Sequence, residues 1–457
     1  MSSTLRRALE KTCPGRVIDP GHAGYDAVRQ LFNGMYDTRP ALICLPRNTA
    51  EVRAVVRHAR EAGIRTAVRG GGHNIGGAGS VADGLVIDLR LIDGVTVNPR
   101  SRRARVGGGA TWGRFDDAAS TYGLATTGGT FDTTGVGGLT LGGGIGHLMG
   151  RYGLACDNVA SYVLVTANGD EFIVNHRTDP ELDWALRGAG HQFGVVTEFE
   201  YFMHPVTTVY GGYVAYPGAR SGTVVRLFRD LMLAAPDELT CTLLLERYGP
   251  TQSPAAVLSV AYCGDDPDYL TRLDKTLQSI PVLDWQVRER TYVSMQTVLG
   301  RLPFGLRHYW SARCVDGLPD ELVDGLVERF AAASITDPYN DTILIEPIHG
   351  AVRRGTAGVV PFREARFNIT GMAIWQHPDP TGAQVRWARS VAAQAEPHSR
   401  WGDGYVNYVG GGAEDGTARA VRTFGVEACR RLAALKAKLD PDNFFRSSYA
   451  IADEAGR

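Results

Sequence analysis

The segment AVRGGGHNIGG (67–77) places one histidine, His73, directly after three consecutive glycines. Because glycine has no side chain, the backbone amides of such a loop can converge on an anion such as a phosphate, and a neutral imidazole is a nucleophile. The spacing differs from the dinucleotide-binding GxGxxG, and the Gly-Lys-Ser/Thr of a Walker loop does not follow. A lone histidine in such a loop ordinarily makes a structural hydrogen bond, so this segment alone indicates ligand binding only weakly.

A second stretch, TTGGTFDTTGVGGLTLGGGIGHLMGRYGL (126–154), contains eleven glycines. Glycine is unfavourable inside helices and strands, so we expect neither element here and predict backbone that lies along an extended ligand. Two glycine-rich stretches in one chain indicate a large cofactor with a diphosphate and a flat ring.

The elements around these stretches are short in the first half of the chain. Asn48 and Glu51 have the spacing of a capping box, and the apolar periodicity after them predicts a helix that Gly63 ends. YVLVTANGDEFIV (162–174) predicts a hairpin with its turn at Asn168-Gly169. Further elements are predicted at 64–68, 84–89, 94–97, 104–109 and 193–201 (strands) and at 112–122 (helix).

The character of the chain changes after about residue 205. Longer predicted helices (222–234, 319–333) alternate with strands (242–248, 366–375), and glycine becomes ordinary. The sequence therefore predicts an α+β protein in which 206–400 form a separate domain, followed by a tail whose last helix stops before Asp440-Pro441.

Composition excludes several classes of function. The 457 residues include 48 basic and 49 acidic side chains, for a net charge of -1, so nothing indicates nucleic acid or a membrane surface as a partner. Seven scattered cysteines without a CxxC pair, and histidines without ligand spacing, predict neither a disulfide framework nor a metal site. No apolar run follows the first arginines, so we expect a cytoplasmic protein.

Eight segments together resemble the FAD-linked oxidases of the vanillyl-alcohol oxidase superfamily, in the berberine-bridge-enzyme-like branch with its bacterial members. They are RPALICLPRNTAEV, AVRGGGHNIGG, TTGVGGLTLGGGIGHLMGRYGLACDNV, DWALRGAGHQFGVVTEF, RHYWSA, EPIHGAV, GYVNYVGG and LDPDNFFR. The resemblance implies a two-domain PCMH-type FAD-binding fold. Residues 1–205 would form the FAD-binding domain from two α+β subdomains. Residues 206–400 would form a substrate domain built on an antiparallel sheet flanked by helices, and 401–457 would return to the FAD domain.

The resemblance also gives His73 a role, because the histidine of this motif in the family bonds covalently to the flavin 8α-methyl carbon. Relatives often add a second bond from a cysteine, but Phe131 stands at that position, and Cys156 is out of register. We therefore expect FAD held through His73 only, without a cysteinyl bond. The other residues expected to bind the cofactor are Arg69, Gly70, Gly71, Gly72, Asn74, Gly77, Thr134, Gly135, Gly137, Gly138, Thr140, Gly142, Gly143, Gly144, Gly146, His147, Val195 and Tyr408.

The resemblance suggests three catalytic residues. Read as a strand, YVNY would place Tyr408 on the opposite face from Asn407, and Tyr408 matches the family tyrosine that takes the substrate proton. A phenol has a pKa of about 10, so it needs a nearby charge or donor to act as a base, and stacking on the substrate is the alternative role. Asn407 would hydrogen-bond the cofactor or a neighbouring backbone. In the EPIHG segment, the usual YGG is replaced by IHG, which would place His349 near the pocket.

The substrate contacts are expected on one face of the strand RFNITGMAIWQH. Alternation groups Asn368, Thr370, Met372, Ile374 and Gln376 on that face, although ordinary sheet packing accounts for any single one of them. Thr134 falls beside the flavin C4a in the family alignment, where a small residue leaves room for O2.

These features predict an FAD-dependent oxidase. It would remove hydride from a C–H next to oxygen or nitrogen of a small, secondary-metabolite-like substrate and reduce O2 to H2O2, as a monomer or homodimer. The alternatives are a sugar or oligosaccharide oxidase, a flavin-dependent oxygenase or oxidative cyclase of the same family, and a catalytically silent flavin-binding protein.

Overall fold

Helices alternate with one mixed and several antiparallel sheets along the chain in the computed structural model, which describes residues 3–333, 341–411, 416–447 and 449–451. Strands and α-helices are numbered in chain order. The helices are α1 (Ser3–Thr12), α2 (Tyr25–Arg29), α3 (Thr49–Glu61), α4 (Trp112–Ser120), α5 (Val136–Leu141), α6 (Met149–Tyr152), α7 (Pro180–Ala189), α8 (Ser221–Leu233), α9 (Pro267–Leu277), α10 (Tyr292–Met295), α11 (Asp320–Ala331), α12 (Gly350–Arg354), α13 (Ala383–Ala395), α14 (Thr417–Phe424) and α15 (Val426–Leu439).

Two sheets and one short strand pair lie in the first 205 residues. The first sheet has the order β1-β2-β4-β3 and the second the order β5-β6-β10-β8-β9. Their strands are β1 (Val17–Ile18), β2 (Leu42–Cys44), β3 (Thr66–Arg69), β4 (Leu85–Asp88), β5 (Val95–Asn98), β6 (Arg103–Gly107), β8 (Val159–Val165), β9 (Glu171–Val174) and β10 (Val195–Phe202), while β7 (Leu124–Ala125) pairs with β11 (His204–Pro205). The predicted hairpin is confirmed as β8 and β9, and Gly169 adopts a φ of 74° in its turn.

One large antiparallel sheet follows, with the path β15-β12-β14-β13-β18-β19-β17 and with β16 on the free edge of β12. Its strands are β12 (Thr208–Pro217), β13 (Leu239–Tyr248), β14 (Ser253–Tyr262), β15 (Asp284–Trp285), β16 (Arg288–Thr291), β17 (Arg307–Val315), β18 (Thr342–Pro347) and β19 (Phe367–Trp375).

The two faces of this sheet have different neighbours. On β13, Leu243 and Leu245 pack with Phe228 of α8, whereas Leu244 packs with Trp310 and other residues of the opposite face. Alternation along each strand therefore separates a helix-covered face from a second face. We call this second face the inner face.

The C-terminal segment packs back on the first half of the chain. Phe445 makes a parallel bridge to Thr66 at the edge of β3, and Phe424 and Leu432 pack in the same core as Trp112 and Phe199. The domain limits 1–205, 206–400 and 401–457 stay a prediction.

Two local expectations needed correction. Asn48 caps α3 by accepting a hydrogen bond from the Glu51 amide (2.9 Å), but the Glu51 carboxylate pairs with Arg16 and accepts from Arg47 N instead of completing a capping box. The second glycine stretch contains the short helices α5 and α6, where we expected none. Gly137 of α5 and Gly150 of α6 sit against neighbouring backbone, so tertiary packing outweighs their low helix propensity.

Candidate active site

The two glycine stretches meet each other. A Cβ on Gly71 would lie 2.4 Å from Gly135 N, and one on Gly137 would lie 2.8 Å from Gly108 O. Own-chain contacts of this kind also explain four other glycines that we assigned to the cofactor, namely Gly77 (Tyr36 ring), Gly142 (Asn407), Gly144 (Ala155) and Gly146 (Gly128 O). Close contacts within the protein therefore account for the absence of a side chain at these glycines, and their contact with the cofactor stays a prediction.

Four glycines of the two stretches remain open or conformationally special. No atom lies within 4 Å of a Cβ built on Gly138, which is exposed, and the nearest atoms around Gly70, Gly72 and Gly143 are at 3.1 Å or more. Gly72 and Gly143 have φ values of 73° and 115°, which side chains rarely adopt. These are the positions where the backbone is free to line a ligand.

His73 lies against aromatic rings at the same place. Its ring stacks on Phe32 (centroids 4.3 Å apart) and meets the edge of Phe304 (5.3 Å). Nε2 is buried and makes no hydrogen bond within the described residues. Burial lowers the pKa of His73 to about 4, with Asp132 acting in the opposite direction, so the imidazole is neutral at pH 7. A neutral, unpartnered nitrogen is the form that adds to a carbon electrophile.

The residues present therefore fit FAD. A buried imidazole nitrogen without a partner stands beside two glycine segments, and the space where Gly138 would carry a side chain is open, although its carbonyl is hydrogen-bonded to His191 Nε2 (2.9 Å). His73 and the open glycines are the groups that would hold the cofactor.

Several other predicted cofactor residues use their side chains elsewhere. Arg69 is buried, forms a two-nitrogen ion pair with Asp88 (2.9 and 2.5 Å) and donates to Arg29 O. Thr140 shares a hydrogen bond with Tyr201 (2.6 Å). These side chains shape the loops and are unavailable to a ligand.

Asn74 and Val195 also have structural roles. The Asn74 carboxamide accepts from Ala78 N (3.0 Å) and closes a turn, while Val195 packs in the core of the first sheet. His147 is buried, and Nε2 has no partner within the described residues. Burial lowers the pKa of His147 to about 4, so this ring is neutral as well.

YVNY forms a 3-10 turn, Val406–Tyr408, and the predicted strand is wrong. Tyr408 N donates to Tyr405 O (2.9 Å), which curls the chain. The Tyr405 hydroxyl accepts from Gly144 N (3.0 Å) and from Asn407 Nδ2 (2.7 Å), and Asn407 also donates to Leu139 O (3.0 Å). Asn407 thus ties this turn to the second glycine stretch.

Tyr408 reaches across to the large sheet, where its hydroxyl donates to Oε1 of Glu346 (3.0 Å). Asn368 Nδ2 donates to the other oxygen of Glu346 (3.0 Å) and also reaches Thr370 Oγ1 (3.2 Å). Glu346 is 3% exposed. Burial raises its pKa to about 7, although the hydrogen bonds from Asn368 and Tyr408 lower it. Burial and the neighbouring Glu346 raise the pKa of Tyr408 well above 10.

Glu346 is the functional residue that we missed. It is the first residue of EPIHG, a segment that we identified for His349 instead. The signal was a carboxylate at the end of an otherwise apolar strand, TILIEP, where a charged side chain needs a reason to be buried.

His349 does not join Tyr408. Its ring lies beside Gly150, where an added Cβ would be 2.5 Å from Cε1, and burial lowers its pKa to about 4 against the influence of Asp237. Glu346, in the same segment, is the residue that contacts Tyr408. The expected position of His349 is therefore corrected, since His349 lies beside the pair and does not contact Tyr408.

The inner face of the large sheet covers these groups with apolar side chains. Met372, Ile374 and Leu344 pack with Trp310, and Trp310 meets the Tyr408 ring edge-on (5.2 Å). Phe32, the ring stacked on His73, belongs to the same cluster. Asn368, Thr370 and Met372 are thus brought to the site, whereas Gln376 lies beyond the end of β19 and is exposed, which corrects its assignment.

Two residues, Phe131 and Cys156, bear on the number of covalent bonds to the flavin. Phe131 is partly buried in the loop before α5, and its carbonyl accepts from Thr134 N (3.1 Å). Cys156 is fully buried, and burial raises its pKa, so the thiol stays protonated. The position of Thr134 relative to a flavin stays a prediction.

Neither a metal site nor a membrane-spanning helix is found in the described residues. They contain no group of three or more histidine, cysteine or acidic side chains placed to hold a metal ion. A helix long and apolar enough to cross a membrane is likewise absent from the part of the chain that the structure describes.

Known families match both ends of this arrangement. Residues 40–175 match the family described as FAD binding domain, and residues 404–452 match the family described as berberine and berberine like. (R)-6-hydroxynicotine oxidase of Paenarthrobacter nicotinovorans is 28% identical over 99% of this chain and 100% of its own length. An FAD-linked oxidoreductase of Dictyostelium discoideum is 29% identical over 90% of this chain and 88% of its own.

Solved structures agree with the fold. The crystal structure of 6-hydroxy-D-nicotine oxidase from Arthrobacter nicotinovorans superposes with a TM-score of 0.85 at 27% identity, over 96% of this chain and 98% of that chain. Xylooligosaccharide oxidase from Myceliophthora thermophila C1 gives 0.85 at 22% identity over 98% and 99%, a likeness of fold alone. The chain is an FAD-dependent oxidoreductase with the PCMH-type α+β fold; two of its segments match the FAD binding domain and the berberine-like families, and its relatives and structural neighbours are FAD-linked oxidases.

Proposed function

We propose that this protein oxidises a small molecule at a C–H bond next to nitrogen or oxygen and uses O2 as the electron acceptor, with H2O2 as the product. The observation that carries the proposal is the hydrogen bond between Tyr408 and the buried Glu346, directly under the apolar inner face. When bound, FAD supplies the hydride acceptor.

Removal of hydride from such a C–H leaves a proton on the neighbouring nitrogen or oxygen, and the protein must take it. Tyr408 alone is a poor base, because burial and Glu346 raise its pKa well above 10. The pKa of Glu346 of about 7 suits a proton acceptor at neutral pH. We therefore assign the transfer to the pair, in which the Tyr408 oxygen accepts the substrate proton while its own proton passes to Glu346.

His73 is proposed as the single covalent attachment of FAD. Its neutral ring and unpartnered Nε2 support a bond to carbon. A second, cysteinyl bond is not expected, because Phe131 has no sulfur and Cys156 is buried with a protonated thiol. Thr134 is proposed to leave room for O2, since its side chain is small.

The substrate pocket is assigned to Asn368, Thr370 and Met372 of β19, with Glu346 and Tyr408 at its catalytic end. Asn368 orients Glu346 by donating a hydrogen bond to Oε2, and we propose no role for it in cofactor binding. It is a positioning residue, and its loss should lower the fraction of Glu346 that is ionised at pH 7, since its hydrogen bond favours the carboxylate.

The experiment is anaerobic mixing of the holoenzyme with a panel of small amines, alcohols and oligosaccharides, followed by admission of air. We expect at least one amine or alcohol to bleach the flavin and air to restore its colour with H2O2 release. Bleaching by oligosaccharides alone would favour the sugar oxidase, and oxygen incorporation into the product would favour an oxygenase. An intact flavin with the whole panel would favour a silent flavin-binding protein.

A further inference from the structure

A second acidic side chain, Glu246, lies on the inner face. It stands on β13 between Leu244 and Tyr248, and both of these neighbours pack in the apolar cluster with Trp310 and Met372. Residues two apart on a strand share a face. Glu246 is therefore directed to the same side of the sheet as Glu346 and Tyr408.

The surroundings of Glu246 offer it no partner. It is half-buried and makes no hydrogen bond or ion pair with any residue that the structure describes. Across the sheet it stands opposite Ala255 of β14, and the register of β13 on β18 puts it level with Thr342. The same row continues to Met372 and Trp310, and the Trp310 indole Nε1 is buried without a partner in the described chain.

On the six strands that carry the site, the charge of the inner face is unbalanced; β15 and β16 at the edge add Asp284, which accepts from Tyr248, and Arg290, which donates to Gly211 O. Along β12, β14, β13, β18, β19 and β17, the described residues of this face include two carboxyl groups, Glu246 and Glu346, and no lysine or arginine. Desolvated carboxylates are costly unless a cation or donor meets them. A ligand that brings a positive charge would supply what this face lacks.

The two carboxyl groups are well separated. Thr342, which is level with Glu246, lies four residues before Glu346 on β18. At a rise of about 3.3 Å per residue, the two positions are roughly 13 Å apart along the strand. The apolar side chain of Leu344 lies in the row between them, and Met372 lies in the row of Glu246. The face thus presents the catalytic pair at one end, an apolar middle and a lone carboxyl at the other.

We propose that Glu246 is a specificity residue that binds a cationic amino group of the substrate, at the end remote from the C–H bond that is oxidised. The substrate class is then a molecule with an apolar body and a protonated amine about one pocket length from the reacting carbon. The inference rests on the proposed function, because it takes Tyr408 and Glu346 to mark the reacting end.

The test measures binding without turnover. The probes are a phenylalkyl amine and the matching alcohol, each with two methyl groups on the carbon that bears nitrogen or oxygen, so that this carbon has no hydrogen to lose. Dissociation constants for the holoenzyme come from the change in flavin absorbance. We expect the amine to bind about tenfold or more tightly than the alcohol, and E246Q to bring the two within about twofold of each other.

Three further variants make the outcome decisive. E246D, which keeps the charge, should retain a preference for the amine and shows that the site still folds. E328Q removes an exposed carboxylate of α11 on the helix-covered side and should leave the preference unchanged, whereas E346Q tests whether the catalytic carboxylate binds the amine in place of Glu246. Equal binding of both probes by the wild type, or a preference that survives E246Q or disappears in E346Q, would overturn the proposal. Because no probe is oxidised, failure of the oxidase assignment would leave these constants unaffected.

Discussion

Glu346 and Tyr408 share one hydrogen bond, and at the scale of single residues the proposed chemistry rests on this bond. Burial raises the pKa of both groups, to about 7 for Glu346 and well above 10 for Tyr408. The carboxylate is thus the group whose ionisation changes near neutral pH. Tyr408 lies between it and the apolar pocket, where it can pass a proton without holding a charge.

Tyr408→Phe and Glu346→Gln should each slow flavin reduction by about 10²–10⁴-fold, the range typical of general-base catalysis. Anaerobic stopped-flow bleaching with a substrate from the panel measures this rate. Tyr210→Phe is the matched control, because Tyr210 bonds Asp274 away from the site and should reduce at the wild-type rate. If both site variants stayed within about twofold of wild type, the proton acceptor would have to be elsewhere.

The wild-type rate of flavin reduction should rise with pH through about 7, because Glu346 accepts a proton only when ionised. The pH profile of the same bleaching experiment measures this, and Glu346→Gln should lose the dependence. Ionisation of Glu346 has the opposite effect on the free energy of unfolding, which falls as the pH rises. A carboxyl whose folded pKa lies above its unfolded value loses stabilisation as pH rises from about 4.5 to about 7. A wild-type profile that is flat across pH 7 would argue against Glu346.

At the residue scale, the sequence pointed to His73, Tyr408 and Asn407, because each lies in a distinctive motif, and their roles stay predictions. Glu346 was missed because its place at the end of the apolar strand TILIEP indicates that a carboxylate needs a partner but not which residue that partner is. Its role depends on β18 being buried and on a turn 62 residues later that brings Tyr408 to it. Such a pairing is a property of tertiary structure.

At the scale of elements, the contact between the two glycine stretches constrains the site closely. A Cβ on Gly135 would lie 2.4 Å from Gly71 N, whereas one on Gly138 meets nothing within 4 Å. Gly135→Ala should cost about 1–3 kcal/mol through overpacking, and Gly138→Ala should gain about 0.5–1 kcal/mol as a helix residue. Thermal unfolding of the two variants measures the difference, and equal melting temperatures would show that the contact is relaxed.

Long elements with clear periodicity were predicted well, including α3, β13, β19 and the β8–β9 hairpin. The YVNY segment was not, because four residues fit a strand or a turn equally. Its conformation follows from Gly404, at a φ of 70°, and from hydrogen bonds between Tyr405 and the second glycine stretch. Those contacts are invisible to a local pattern.

At the scale of the whole molecule, the site gathers residues from every part of the chain. Asn33 holds the backbone of His308 through two hydrogen bonds, 2.7 Å to its carbonyl and 2.9 Å from its amide, which joins the first residues to the large sheet. The resemblance to the family predicted that the first half of the chain and the large sheet build the site together. The charge of the inner face could not be predicted from the sequence, because it depends on which strands are neighbours in the sheet.

The rate at which O2 reoxidises the flavin is also a property of the whole molecule. Thr134→Ile should slow reoxidation of photoreduced holoenzyme in air, because a longer side chain would occupy the room that we assign to O2, while substrate reduction of the flavin stays largely intact. Absorbance after mixing with air-saturated buffer measures the rate. Thr134→Val, of nearly the same size as threonine, should reoxidise like the wild type. A wild-type enzyme that takes hours to reoxidise would instead be a dehydrogenase.

The most direct measurement of the central claim, that this site is built around FAD held by His73, is peptide mass mapping of the denatured holoenzyme. We predict one flavin-bearing tryptic peptide, 70–90, heavier by FAD less two hydrogen atoms, and complete release of flavin from His73→Ala after acid precipitation. Wild-type flavin that washes out completely, or an adduct on the peptide that contains Cys156, would contradict the account.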